Sequence, residues 1–327
     1  MIPGAIARLG SVADVPPELR GAVVAVGNFD GVHRGHQAVL EQARAIAAAE
    51  ARPLVCLTFE PHPRSVFRPD KPVARLTPAP MKARLLQMLG FDAVVEQGFT
   101  RDFAGLAPEA FVGTVLVQAM GAHHVVAGFD FHYGARRGGT PQTLAEAGRH
   151  HGFGATLVPA FVDEGGETVS SSRIRDLLAE GDVAQAGGLL GYRWTVAGAI
   201  VGGAKLGRTL GYPTANMVIE PDSLLRHGIY AVRLRRADGS LHDGVASFGR
   251  RPTFDNGAAL FETFLFDFSG DLYGETVAVS LFGFLRGEER FDGAEALIAQ
   301  MDRDAEEARA MLASATPLGD LDRRLAF

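Results

Sequence analysis

The run GNFDGVHRGHQ, residues 27–37, gathers the residue types that handle phosphate. Asn28-Phe29-Asp30-Gly31 turns sharply out of an apolar, β-rich run at residues 22–27. His33-Arg34-Gly35-His36 then opens a helical pattern that continues to residue 49. Backbone N–H groups and the positive end of that helix face the carboxyl edge of a sheet, which favours phosphate. Gly35 lets the backbone approach an anion, and His33 and His36 can donate hydrogen bonds to an α-phosphate or a leaving pyrophosphate. In-line attack at phosphorus needs charge stabilisation more than covalent participation.

Two later segments join it. VVAGFDFHYGARRGG, residues 125–139, is a strand ending in a loop with Asp130, Arg136 and Arg137. SSSRIR, residues 170–175, sits at a helix start, where serines cap the helix and two cations stand beside it. Each segment alone has an ordinary reading: a surface turn, a solvated arginine pair, a helix cap. Together, each following a strand of an open α/β sheet, they point to one ligand site. His123-His124 and His150-His151 lack a carboxylate or thiolate at metal-binding spacing and are not read as a metal site.

A second site is written in VGGAKLGRTLGYPTAN, residues 201–216. Gly202 and Gly207 have P-loop spacing, but Arg208 stands where Lys is needed, and Gly211 and Pro213 forbid the following helix. What survives is a Gly-rich strand-to-loop cradle, with Lys205 and Arg208 as charge partners. Thr214 and Asn216 offer oxygens that could help hold Mg²⁺ beside ATP. Glu262 lies in the strand-like LFETFLFDF. It is either a base for an attacking hydroxyl or an outward-facing carboxylate, and spacing does not decide between them.

The elements that must position these residues fall into two groups. Strand-like runs at residues 22–27, 54–59, 93–96, 124–127 and 155–161 alternate with helical runs at 37–49, 81–89, 108–120 and 140–151, predicting a doubly wound parallel sheet. The Pro-rich stretch between residues 61 and 80 reads as loop. From residue 194, strands at 194–201, 228–235, 243–248, 260–268 and 275–285 follow one another without helices, predicting a small antiparallel barrel and a final helix over 293–313. The change of pattern falls at residues 184–192, giving domains 1–185 and 186–327.

The 327 residues carry a net charge of −6, which argues against a nucleic-acid partner. The one cysteine, Cys56, lies in an apolar run and reads as a buried small residue. The N-terminus lacks signal-peptide character, and the most apolar long stretch, 111–129, contains Gln118, His123 and His124. The expectation is a soluble cytoplasmic protein with small-molecule substrates and no membrane partner.

GNFDGVHRGHQ, TFEPHP (58–63), GFDFHYG (128–134) and SSSRIR, followed by GRTLGYPTAN (207–216), resemble the bacterial bifunctional riboflavin kinase/FMN adenylyltransferase family, the FAD synthetases. RRPTF (250–254), DLYGE (271–275) and LRGEERF (285–291) extend the resemblance over nearly the whole chain. It implies a Rossmann-like nucleotidyltransferase domain followed by a riboflavin kinase β-barrel, using ATP and Mg²⁺ and handling riboflavin, FMN and FAD. By resemblance His33 and His36 stabilise adenylyl transfer. Gly27, Asn28, Phe29, Asp30, Gly35, Ser171, Ser172 and Arg173 serve its ATP, and Phe59, Pro61, His62 and Asp130 lie toward the flavin.

In the barrel, the resemblance makes Glu262 the catalytic base. Gly203, Lys205, Gly207, Arg208, Thr214 and Asn216 serve the kinase ATP, with Thr214 and Asn216 also at the metal, and Arg286 and Glu288 border the flavin. Three positions depart from the family pattern: Ser172 replaces Thr, Ser247 replaces Asn, and Phe264 replaces His. The last two motivate an alternative, an FMN adenylyltransferase whose barrel binds flavin without turnover. A flavin-responsive binding protein without turnover is a third reading, disfavoured by the intact reactive sets.

Overall fold

The computed structural model describes residues 6–202, 211–219, 223–250 and 259–327. The chain divides into two compact units, Met1–Ser171 and Ser172–Phe327.

The first unit is a six-stranded sheet. Its strands are β1 (Ala7–Leu9), β2 (Val23–Val26), β3 (Leu54–Glu60), β4 (Ala93–Gly98), β5 (His124–Gly128) and β6 (Gly154–Val158), in the spatial order β1, β4, β3, β2, β5, β6. Each neighbouring pair is parallel. The helices are α1 (Arg34–Ala49), α2 (Pro63–Phe67), α3 (Ala79–Met88), α4 (Arg101–Ala104), α5 (Pro108–Ala110) and α6 (Pro141–His151), with π-helical turns over Phe111–Ala119 continuing α5. All four residues of β2 are buried, the continuous apolar run of a strand covered on both faces. In α1, Val39, Leu40, Ala43 and Ala47 form one buried stripe, and the helix packs on β2 and β5. The chain steps outward one way through β3 and β4 and the other way through β5 and β6. The order therefore reverses between β2 and β5, and a crevice opens at their carboxyl ends, where such sheets take ligands.

Two local expectations are corrected. The Pro-rich stretch is not loop throughout: α2 forms there because Pro63 suits a first helical turn and His62 Nδ1 accepts from Arg64 N. β6 ends at Val158, short of the expected residue 161. The three-residue β1 escapes sequence reading because its pattern is too short to carry a period.

The second unit holds most of α7 (Ser171–Glu180), then α8 (Val183–Leu190) and a closed barrel. Its strands are β7 (Thr195–Val201), β8 (Thr214–Val218), β9 (Gly228–Arg235), β10 (Leu241–Arg250), β11 (Ala259–Leu265) and β12 (Thr276–Arg286), closing in the order β10, β11, β8, β7, β12, β9. β8 is not marked as strand by sequence, because its identity comes from pairing with β7 and β11 rather than from alternation. Phe248, Phe261, Met217, Val232 and Leu281 are buried in the barrel. Helix Ala294–Ser314 packs on β9, β10 and β12. The final helix, Asp320–Ala326, carries Asp322, which is fully buried and paired with Arg193. Asp322 Oδ1 also accepts from Arg193 N and Oδ2 from Leu318 N.

Candidate active sites

In the first unit, the loop between β2 and α1 is wound tightly. Phe29, Gly31 and Val32 all have positive φ, at 47°, 92° and 40°. For the bulky Phe29 and the β-branched Val32 this conformation is strained by ~1–3 kcal/mol each, and both side chains are buried, which holds them in it.

His33 is the N-cap of α1, and its Nδ1 accepts from His36 N at 3.2 Å. That bond puts the ring proton of neutral His33 on Nε2, making Nε2–H a donor. The His33 and His36 rings stack with centroids 3.6 Å apart, and Phe29 meets His36 edge-on at 5.4 Å. A Cβ on Gly35 would lie 3.2 Å from the His33 ring, so glycine there leaves room for the imidazole.

The loop is braced from behind. Asp30, 1% exposed, accepts from Leu76 N and Thr77 N, and Gly31 N donates to Thr77 Oγ1 at 2.8 Å. Arg75 joins Asp30 to Glu60, and Lys82 binds Glu60 at 2.8 Å. Burial would raise the Glu60 carboxyl, but the Arg75 hydrogen bond and the Lys82 ammonium outweigh it and bring it down to about 2. Burial pushes the Lys82 ammonium down against the opposing pull of Glu60. Ser171 Oγ donates to Asp30 O at 2.8 Å, so the first residue of α7 reaches the loop.

The remaining candidates of this unit divide. Asn28 is exposed on the loop, and Gly27 leads into it, with room above its Cα taken by the Phe29 ring. Asp130 is exposed after β5, on the neighbour of β2. His62 and Pro61 follow β3, with the Glu60–Pro61 peptide cis. Phe59 is buried, its ring 5.8 Å from Phe99 and 5.9 Å from Phe103. At the start of the second unit, in the first turn of α7, Ser172 is exposed and Arg173 half-buried. Cys56 is fully buried and burial pushes its thiol up to about 12, as a small core residue should be. His123 does have a carboxylate partner, Glu50 at 2.8 Å, supplied from the end of α1 and invisible to local spacing. Among the described residues no cluster of three or more metal-binding side chains occurs.

In the barrel, strand register does what sequence spacing could not. Glu262 on β11 lies directly across from Asn216 on β8 and from Ser247 on β10, so the three share one row. Phe264 pairs with Thr214 in the next row. Directly paired residues point to the same face, here the one opposite Phe261 and Thr263. Asn216 is 5% exposed, and its Oδ1 is buried with no hydrogen-bond partner among the described residues. An amide oxygen held dry beside a carboxylate fits a hard cation.

The Phe264 ring packs at a tilt against Tyr212 with centroids 4.7 Å apart, and the Tyr212 hydroxyl donates to Asp302. Arg286 is held by Asp304 at 2.7 Å, which raises its guanidinium further. The Glu288 carboxylate lies over Gly249, where any Cβ would collide with it. Gly203, Lys205, Gly207 and Arg208 lie outside the described residues, as do residues 251–254 of the RRPTF motif.

Sequence reading missed Lys82, Arg75 and Thr77. A signal for Lys82 exists: it shares the spacing of Leu85 and Leu86, so the apolar stripe of α3 has a cation written into it. Arg75 and Thr77 sit in the Pro-rich stretch, where no periodicity marks a partner.

The profile of the family described as FAD synthetase matches residues 15–173, and that described as riboflavin kinase matches residues 190–312. The bifunctional riboflavin kinase/FMN adenylyltransferase of Listeria monocytogenes is 41% identical over 294 residues, covering 89% of this chain and 92% of the relative. The protein of the same name from Escherichia coli is 37% identical over 93% of this chain and 96% of its own. A crystal structure titled macrolide-efflux protein, from Streptococcus pneumoniae, superposes with a TM-score of 0.81 at 32% identity, covering 94% of this chain and 99% of that one. With a stacked histidine pair at the switch point of one unit, a Glu262–Asn216 row on the barrel of the other, and relatives matched along nearly their full length, this chain belongs to the bifunctional riboflavin kinase/FMN adenylyltransferase family.

Proposed function

We propose that this protein phosphorylates riboflavin to FMN and then adenylylates FMN to FAD, consuming one ATP at each step. The observation that carries the reading is that each unit keeps its own complete reactive pair: His33 with His36 in one, Glu262 with Asn216 in the other. Residues 186–327 perform the first step and residues 1–185 the second.

In the kinase step, Glu262 accepts the proton of the ribityl hydroxyl as its oxygen attacks the γ-phosphorus of ATP, and ADP leaves. Asn216 and Thr214 would hold the nucleotide and Mg²⁺, a cation that would neutralise charge on the phosphates. Lys205 and Arg208, with Gly203 and Gly207, line the phosphates. Arg286, oriented by Asp304, and Glu288 border the flavin. Ser247 in place of Asn leaves the Glu262–Asn216 pairing intact, which favours turnover over a barrel that only binds.

In the adenylyl step, a phosphate oxygen of FMN attacks the α-phosphorus of ATP, forming the new P–O bond as the bond to pyrophosphate breaks. His33 Nε2–H and His36 offset the charge that develops on the non-bridging and leaving oxygens. Gly27, Asn28, Phe29, Asp30 and Gly35 shape the phosphate loop, and Ser171, Ser172 and Arg173 engage the nucleotide. Phe59, Pro61, His62 and Asp130 lie toward the flavin, the Phe59 ring being itself buried. The ligands are small and soluble, no described helix is long and apolar enough to cross a membrane, and we assign the protein to the cytoplasm.

Purified protein given riboflavin, ATP and Mg²⁺ should yield FMN and then FAD in a chromatographic time course. Riboflavin left unchanged would remove the kinase half of the reading, and supplied FMN left unchanged the other half.

A further inference from the structure

We infer that Lys82 is a positioning residue for adenylyl transfer: a buried ammonium that ties the phosphate loop to the end of β3 from beneath. The inference rests on the adenylyltransferase reading of the first unit.

Lys82 is fully buried in α3, and its three N–H donors meet three oxygens. They are Asn28 O at 3.1 Å, Thr58 Oγ1 at 2.9 Å and Glu60 Oε1 at 2.8 Å. Thr58 Oγ1 in turn donates to Asn28 O at 3.0 Å, so that one carbonyl of the phosphate loop receives two hydrogen bonds. Arg75 closes the figure by bridging Glu60 and Asp30. The cluster holds two cations and two carboxylates, so it is electrically balanced, with Lys82 and Asp30 buried and Arg75 and Glu60 partly exposed.

A lysine is a poor choice for simple core filling. Burying an ammonium carries a large desolvation cost, and a hydrophobic side chain of similar length would pack without it. What only the ammonium supplies here is three-way geometry. It fixes the carbonyl of Asn28, one residue before the strained Phe29 turn, against Glu60, one residue before Pro61 and His62. The ATP side and the flavin side of the adenylyl site thereby share one rigid anchor, and displacement of reacting groups by about 1 Å is enough to cost ~10²-fold in rate.

Two variants test this from opposite sides of the Asn28 carbonyl: Lys82→Met, which removes the ammonium, and Thr58→Val, which removes the hydroxyl and keeps all four charges. FAD formation from supplied FMN is measured in the full-length protein and divided by the folded fraction from near-ultraviolet circular dichroism. Lys82→Met should lose kcat by about 10-fold or more and Thr58→Val by about 3-fold, with both KM values within about 2-fold of the unchanged protein. A wild-type kcat per folded molecule in either variant would overturn the inference, because a purely structural lysine alters only how much protein is folded. If Lys82→Met does not fold, Thr58→Val decides alone. Failure of the unchanged protein to make FAD would count against the adenylyltransferase reading and take this assignment with it, whereas a variant matching an active reference counts against Lys82 alone.

Discussion

The imidazoles of His33 and His36 stack face to face, 3.6 Å between centroids and 17° between planes, while His33 Nδ1 caps the backbone N–H of His36. The two rings therefore have different structural duties. His36→Ala should lower FAD formation by ~10²-fold or more and leave FMN to accumulate from riboflavin, with the thermal midpoint nearly unchanged. His33→Ala should lose activity comparably and also cost ~1 kcal/mol of stability, because α1 loses its cap. Equal midpoints in the two variants would contradict the division of duties.

Glu262→Gln should reduce FMN formation by ~10²–10⁴-fold, the range for removing a general base, while supplied FMN is still converted to FAD. A time course with each flavin separately distinguishes the two steps. Loss of the same step in Glu262→Gln and His36→Ala would show that the reactions are assigned to the wrong units.

Gly35→Ala should push the His33 ring, since a Cβ would sit 3.2 Å from two of its atoms. The ring must shift by tenths of an ångström in a position where it is 5% exposed. Adenylyl transfer should fall by about 10-fold with little change in the KM for ATP. An unaltered kcat would mean that the ring has slack.

Glu60 sets an acid limit on the first unit. Its carboxyl lies at about 2 in the folded protein against an ordinary value near 4.5, so folding favours its ionised form. That contribution is complete above about pH 4.5 and is lost as pH falls from there toward 2. Denaturant unfolding of the first unit, followed between pH 6 and pH 2.5, should show a steep loss of stability in this window. Glu60→Gln should start lower and fall less steeply, and identical slopes would argue against it.

Asp322→Ala should destabilise the second unit by ~3–5 kcal/mol, since it strands the buried Arg193 guanidinium and two backbone donors. Burial already lowers the Arg193 guanidinium, with Asp322 opposing that shift. Thermal unfolding resolves the prediction, and a change below ~1 kcal/mol would show that water or a neighbour substitutes.

Much of this was legible in the amino-acid order, for identifiable reasons. β2 is a continuous apolar run and β3 and β5 are largely apolar, and the loop after β2 carries its turn and histidines in eleven consecutive letters. The barrel was readable as strands without helices. Its reactive row was not, because the Glu262–Asn216 pairing joins residues 46 positions apart through a register that the intervening strands determine. The brace behind the phosphate loop was hidden for the same reason: Lys82, Glu60 and Asp30 come from three elements. β8 carries too little alternation to declare itself, and α2 begins inside a stretch whose prolines suggested only loop.

The three-residue β1 has a consequence for handling the protein. It pairs with the outer side of β4, and Arg8 clamps Glu96 through two hydrogen bonds of 3.0 and 2.9 Å. It therefore works as a hem on the sheet, occupying a row of backbone donors and acceptors that would otherwise template another molecule. A chain trimmed past residue 9 would bare that row beside the apolar Val94 and Val95. Such a chain would keep its reactive residues and tend to pair edge to edge, so the first few residues bear on colloidal behaviour more than on turnover.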